Sequence, residues 1–126
     1  MARDLLDEAA EASAPADRYL AAHLAALRAG AALLAARPEE EPPSRARKPR
    51  SVWERLPKTE PELTEWAAVF AASAVKRQSI EAGLAHVVNA AEADDLHSDA
   101  EVFVSAIEYL LDIPAQQSLP LSTRAS

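Results

Sequence analysis

Three stretches of the chain repeat apolar side chains at steps of three and four, the spacing that gathers them on one face of a helix. From about Pro15 to Ala36, Leu20, Leu24, Leu27, Ala31 and Leu34 form one such face, and Tyr19, His23, Ala26, Gly30 and Leu33 form a second stripe beside it. A helix apolar around so much of its girth belongs at the centre of a bundle, and its alanines let neighbours approach closely. From about Glu60 to Ala82, Leu63, Trp66, Ala67, Phe70 and Ala74 make an inner face, with Gly83 as the stop. From about Ala90 to Asp112, Leu96, Ala100, Phe103, Ile107 and Leu110 repeat the pattern, widened by Val104 and Leu111. A short helix over 3–12, carrying Leu5, Leu6 and Ala9, precedes the first of these, and a turn of helix over 52–56 lies between the first two.

Local signals set the boundaries. Pro15 suits the first turn of a helix, where a missing N–H costs nothing. Pro38 disfavours helical geometry at Arg37. Three segments have the form of a capping box, a small polar residue followed three positions later by glutamate: Ser51–Glu54, Thr59–Glu62 and Asn89–Glu92. Residues 38–50, PEEEPPSRARKPR, offer no side chain that seeds a core, and they predict an exposed linker open to protease. Residues 115–126 are polar and unpatterned and predict a flexible tail. The expected architecture is all-α, an antiparallel four-to-five-helix bundle occupying residues 1–114 as one domain, with a crossover between the second helix and those that follow the linker. Leu24, Leu27, Trp66, Phe70, Phe103 and Ile107 are expected among the least exposed residues.

Composition narrows the chemistry. Two glycines among 126 residues leave no GxGxxG and no P-loop, and argue against hairpin-rich folds. Alanine, the best helix former, makes up about a quarter of the chain. With no cysteine there is no disulfide, zinc–thiolate site or iron–sulfur cluster. Twenty acidic against thirteen basic residues give a net charge of −7, which disfavours broad electrostatic binding to nucleic acid. No apolar run approaches the roughly 18 residues that suggest a membrane span, and the acidic N-terminus is unlike a signal peptide, so the cytoplasm is the expected compartment.

Arg18-Tyr19-Leu20-Ala21-Ala22-His23 through Leu34 resembles the core helix of HEPN domains, the "higher eukaryotes and prokaryotes nucleotide-binding" helical bundles. Together with Ser51-Val52-Trp53-Glu54, Glu65-Trp66, and Glu92 through Leu96 with Asp99-Ala100-Glu101 and Phe103, it is similar to a small actinobacterial HEPN-domain family. The order and spacing of these blocks carry the likeness, which covers most of the chain outside the linker and tail. The resemblance implies a four-to-five-helix bundle. For HEPN domains in general it implies RNA cleavage, nucleotide binding or pairing with nucleotidyltransferases.

Ribonucleolytic HEPN proteins carry an Arg-x4-6-His motif, and Arg18 and His23 match it. Histidine moves protons near neutral pH and arginine stabilises phosphorane-like charge, so a metal-independent endoribonuclease using this pair is one reading. Two residues five apart lie about 140° from each other around a helix, however. The pair also falls in the second helix rather than a late one, and Tyr19 replaces the polar residue expected after the arginine. The favoured reading is therefore a non-enzymatic interaction module, with His23 packed in the bundle and Arg18 at its rim.

Other candidates follow from charge. Arg45, Arg47, Lys48 and Arg50 could bind phosphates of RNA or a nucleotide, although no aromatic side chain is interleaved for stacking. Glu92, Asp94, Asp95, Asp99 and Glu101 with His86 and His97 nearby are oxygen-rich, but acids favour a helix's first turn and no Glu-x-x-His pair is present. No metal and no cofactor are expected. Trp53, Trp66 and Phe70 read as packing anchors. The width of the apolar stripes favours a homodimer, with a partner protein or RNA or a nucleotide as further partners.

Overall fold

The computed structural model describes residues 2–37 and 51–112. Among these are helices α1 (Ala2–Glu11), α2 (Pro15–Ala36), α3 (Val52–Thr59), α4 (Thr64–Glu81) and α5 (Ala90–Asp112), with single 3-10 turns at Pro61–Leu63 and Ala85–Val87 and no strand. The expected linker 38–50 and tail 115–126 lie outside the described residues.

Two of the three capping boxes form. Ser51 Oγ accepts from the Glu54 N–H at 3.2 Å while Glu54 Oε1 accepts from the Ser51 N–H at 2.9 Å. Asn89 Oδ1 and Glu92 Oε1 make the same reciprocal pair at 2.8 and 3.1 Å. The Thr59–Glu62 box does not form. Thr59 is the last residue of α3, its hydroxyl donating back to the Arg55 carbonyl at 3.5 Å. Helix α3 thus outruns the expected 52–56: Pro57 forfeits only its own N–H bond, and Glu60 N–H closes the next turn on the Leu56 carbonyl at 2.8 Å. The end of α4 is a Schellman motif. Leu84 N–H reaches the Ser79 carbonyl and Gly83 N–H the Ile80 carbonyl, each at 2.9 Å, with Gly83 at φ +99°.

Consecutive long helices run in opposite directions. Arg3, near the start of α1, bonds Glu108 near the end of α5, and His23 on α2 bonds Ser73 in the second half of α4. Helices α2 and α5 run the same way: Arg18 pairs with Asp94 at their starts, and Arg37 donates to the Leu110 carbonyl at their ends. These two pack most extensively of all. Both helices carry small residues with no exposed surface, Ala22, Ala25 and Ala26 on α2 and Ala93 and Ala100 on α5.

Which stripe of α2 faces the core differs from the simplest sequence reading. Tyr19, His23, Ala26, Gly30 and Leu33 are all buried, whereas in the other stripe Leu20, Leu24 and Leu27 are half-buried, Ala31 is exposed and only Leu34 is buried. Close approach explains the choice. A Cβ on Gly30 would stand 2.9 Å from Val52 Cγ1, so α3 crosses α2 where only glycine fits. Of the six expected core residues, Phe70, Phe103 and Ile107 are sealed; Leu24, Leu27 and Trp66 keep partial exposure. On α4 Ser73 is buried and Ala74 only half-buried, and on α5 Leu111 is exposed.

Every tryptophan and phenylalanine in the chain joins one aromatic cluster. Phe70 and Phe103 lie 5.0 Å apart, Trp53 stacks on Phe70 at 5.3 Å, and Trp66 meets both phenylalanines at 6.1 Å. Such ring pairs add about 0.5–1.5 kcal/mol each beyond their buried area. Contrary to the expectation that no segment approaches a membrane span, helix α2 is by length and composition apolar enough to cross one, with mean hydropathy 1.4; here it packs against α1, α3, α4 and α5.

Candidate functional site

The two residues of the Arg-x4-His match leave α2 in different directions. Arg18 reaches back to the end of α1. Its Nε donates to the Ala9 carbonyl at 3.0 Å and one terminal nitrogen to the Ala12 carbonyl at 2.6 Å, while the other pairs with Asp94 on α5 at 2.5 Å. A helix's last carbonyls have no partner within it, and a guanidinium fork supplies one. Arg18 is thus a side-chain cap on α1 and a bridge to α5.

His23 points into the core and has no exposed surface. Its Nδ1 lies 2.7 Å from Ser73 Oγ, and that hydroxyl donates to the Phe70 carbonyl at 3.0 Å. The serine proton is committed to the carbonyl, so Oγ accepts from Nδ1–H and the proton is assigned to Nδ1. Nε2 is buried without a hydrogen-bonding partner, and the ring meets Trp53 edge-on at 6.0 Å. Burial, aided by the positive charge of Arg77, lowers the His23 pKa to about 4. At neutral pH the ring is uncharged, with one nitrogen bound to Ser73 and no face on solvent.

The acidic run of α5 is divided among separate tasks. Glu92 closes the cap with Asn89 and pairs with Lys76 of α4; the lysine's hydrogen bond is the main cause that holds its carboxyl below the usual range. Asp94 serves Arg18, and Glu101 stands 3.6 Å from His97 Nε2 on its own helix. Asp95 and Asp99 line a shallow groove of about 300 Å³ with Tyr19, Val69 and Lys76. Burial first, then the charge of Asp95, raises the Asp99 carboxyl. Among the described residues no three histidine or carboxylate side chains gather as a metal-binding group. The basic run Arg45, Arg47, Lys48 and Arg50 lies outside the described residues.

A larger groove, about 520 Å³, runs between α1, α2 and α4. Leu5, Leu20, Ala21 and Leu24 are its apolar lining, and Glu8, Glu11, Asp17 and Glu81 supply carboxylates. Arg77 also faces it, its Nε 3.6 Å from Glu81 Oε1, an ion pair too long for a hydrogen bond.

Sequence reasoning missed Ser73 and this groove. Ser73 follows Phe70 by three in the buried register of α4, so a polar residue in a core position was the available signal. The groove had a fainter one, a leucine stripe on α2 flanked by acids on α1.

A protein-family model described as SAV_6107-like HEPN matches residues 9–108, from the second half of α1 to the last turns of α5. No curated protein and no solved structure matches the chain.

Proposed function

The chain belongs to the SAV_6107-like HEPN family, and from that premise we propose that it works as a non-enzymatic interaction module rather than as a ribonuclease. The observation that supports this reading is the occupation of both candidate catalytic groups. The guanidinium of Arg18 is spent on the Ala9 and Ala12 carbonyls and on Asp94. His23 is sealed, neutral and bonded to Ser73. A general acid or base must come within hydrogen-bond reach of the proton it moves. His23 would have to leave the core to do so. The net charge of −7 also works against a phosphodiester substrate.

In this reading the partner is first a second copy of the chain. The outer face of α4 carries Ala68, Ala71, Ala72 and Val75, all exposed, while its inner face packs on α2 and α3. Val75 keeps 66% of its surface open to solvent, a large figure for a valine in the middle of a helix. A cytoplasmic setting is part of the same proposal; the apolar helix α2 packs against α1, α3, α4 and α5 within the bundle.

Two measurements test the proposal. Purified protein incubated with RNA in chelator should leave it intact; cleavage that disappears in a folded His23→Ala variant would overturn the reading. Sedimentation should give the mass of a dimer, and Val75→Glu should shift it toward the monomer.

A further inference from the structure

We propose that the groove between α1, α2 and α4 is a docking site for a cationic amphipathic helix of a partner protein. The inference rests on the interaction-module reading and names the chemistry of a second partner.

The floor of the groove explains an anomaly of α2. Leu20 and Leu24, one turn apart, belong to its most apolar stripe yet remain half-buried, because α1 and α4 stand apart above them. An exposed leucine stripe at helical spacing is matched by apolar side chains spaced three and four apart on another helix. The wall formed by α1 runs from Leu5 to Glu11, about 9 Å at 1.5 Å per residue, which accommodates somewhat under two turns of such a helix.

The rim decides the sign of the partner's charge. Glu8 and Glu11 stand on one wall, Asp17 at the start of α2 and Glu81 on the other wall. One guanidinium, Arg77, faces four carboxylates, and it is partnered with Glu81. Lysines or arginines flanking an apolar stripe would meet these acids while their neighbours cover the leucines. Complementary charge of this kind speeds encounter and fixes orientation. The carboxylates are spread along a rim, and among the described residues none joins a metal-binding group of three. They therefore suit several cations spaced along a helix better than one ion.

The test uses a fluorescent synthetic peptide of about five helical turns, leucine at three–four spacing and lysine elsewhere, titrated at about 150 mM salt, where exposed charges act over only about 8 Å. Saturable one-to-one binding is expected, weakened at least about tenfold, or 1.4 kcal/mol, by Leu24→Glu and by the double variant Glu8→Lys/Glu11→Lys. Val102→Glu, an exposed position on α5 that is not part of the groove, should bind as the unmodified protein does. A peptide with serine in place of leucine and the same charge should fail to bind. No saturable binding, equal binding of the serine peptide, or equal loss in Val102→Glu would each overturn the proposal. The double variant alters exposed side chains only, so it keeps the test sound if Leu24→Glu unfolds. Self-pairing measured on the same samples separates the two readings. A chain that dimerises but ignores the peptide defeats the groove alone, and RNA cleavage defeats the module.

Discussion

The two stripes of α2 differ in a way that hydrophobicity alone would have ranked in reverse. One carries Leu20, Leu24, Leu27, Ala31 and Leu34 and is open over most of its length, Leu34 alone being buried; the other carries Tyr19, His23, Ala26, Gly30 and Leu33 and is closed. The closed stripe is the less apolar of the two and holds the one buried histidine. Its advantage is the small residues interspersed with the large ones, Ala26 and above all Gly30, where a Cβ would meet Val52. Alanine and glycine let α5 and α3 come close, and close approach seals everything beneath it, including a ring that must find its own hydrogen bond. Large side chains hold neighbours apart and leave a groove. Burial here follows how near two backbones can come, and transfer energy adds to a geometry already chosen.

The sharpest way to probe the closed side is to empty it. Phe103→Ala, at the centre of the aromatic cluster with no exposed surface, should cost about 3–5 kcal/mol in denaturant unfolding. An unchanged midpoint would show that the cluster does not hold the bundle.

Acid should come next. The folded-state pKa of His23 is lowered to about 4 from an ordinary 6.5, so the unfolded chain binds this proton more readily. Stability from this group is full above pH 6.5 and falls as pH drops toward 4, by on the order of 3 kcal/mol in all. The carboxyls of Glu92 and Glu108, held low chiefly by hydrogen bonds from Lys76 and Arg3, add losses only at still lower pH. His23→Leu should flatten the slope between pH 6.5 and 4, as followed by thermal melts across that range.

Adding bulk tests whether size is the cause. Ala26→Leu places a large side chain on the closed stripe, where no surface is exposed, and should cost about 1–3 kcal/mol despite being more apolar. The smallest effect belongs to the open stripe. Leu24→Ser should cost about 1 kcal/mol or less, since its side chain already meets water. If Leu24→Ser proved as damaging as Phe103→Ala, the contrast between the stripes would collapse.

Helix α2 was legible from end to end, because Pro15 and the segment opened by Pro38 punctuate it in the local sequence. So were the starts of α3 and α5, whose caps at Ser51 and Asn89 involve residues three apart. The Thr59 box failed because Thr59 is still helical, the last residue of α3, and its hydroxyl is turned back on the Arg55 carbonyl. Rotation of α2 about its own axis was not legible: both stripes are helical in spacing, and the choice between them depends on α3 and α5, far away in sequence. Likewise Arg18 and His23 looked like one site on the page, since spacing records neither the carbonyls at the end of α1 nor Ser73 on α4. The match of residues 9–108 establishes the family, and the roles of the two residues rest on these contacts.

Helix α1 is fastened by surface arginines at both ends, Arg3 on Ser105 and Glu108, Arg18 on its last carbonyls and Asp94, and it buries only Leu6 and Ala9. With so few sealed side chains, it is expected to open as a local unit. In native-state hydrogen exchange its amides should open well below the global unfolding energy, and more readily as salt screens the arginines. Because α1 is also a wall of the groove, whatever lies there must slow that opening. Protection of the hydrogen-bonded amides of α1 then becomes a gauge of whether the groove is occupied.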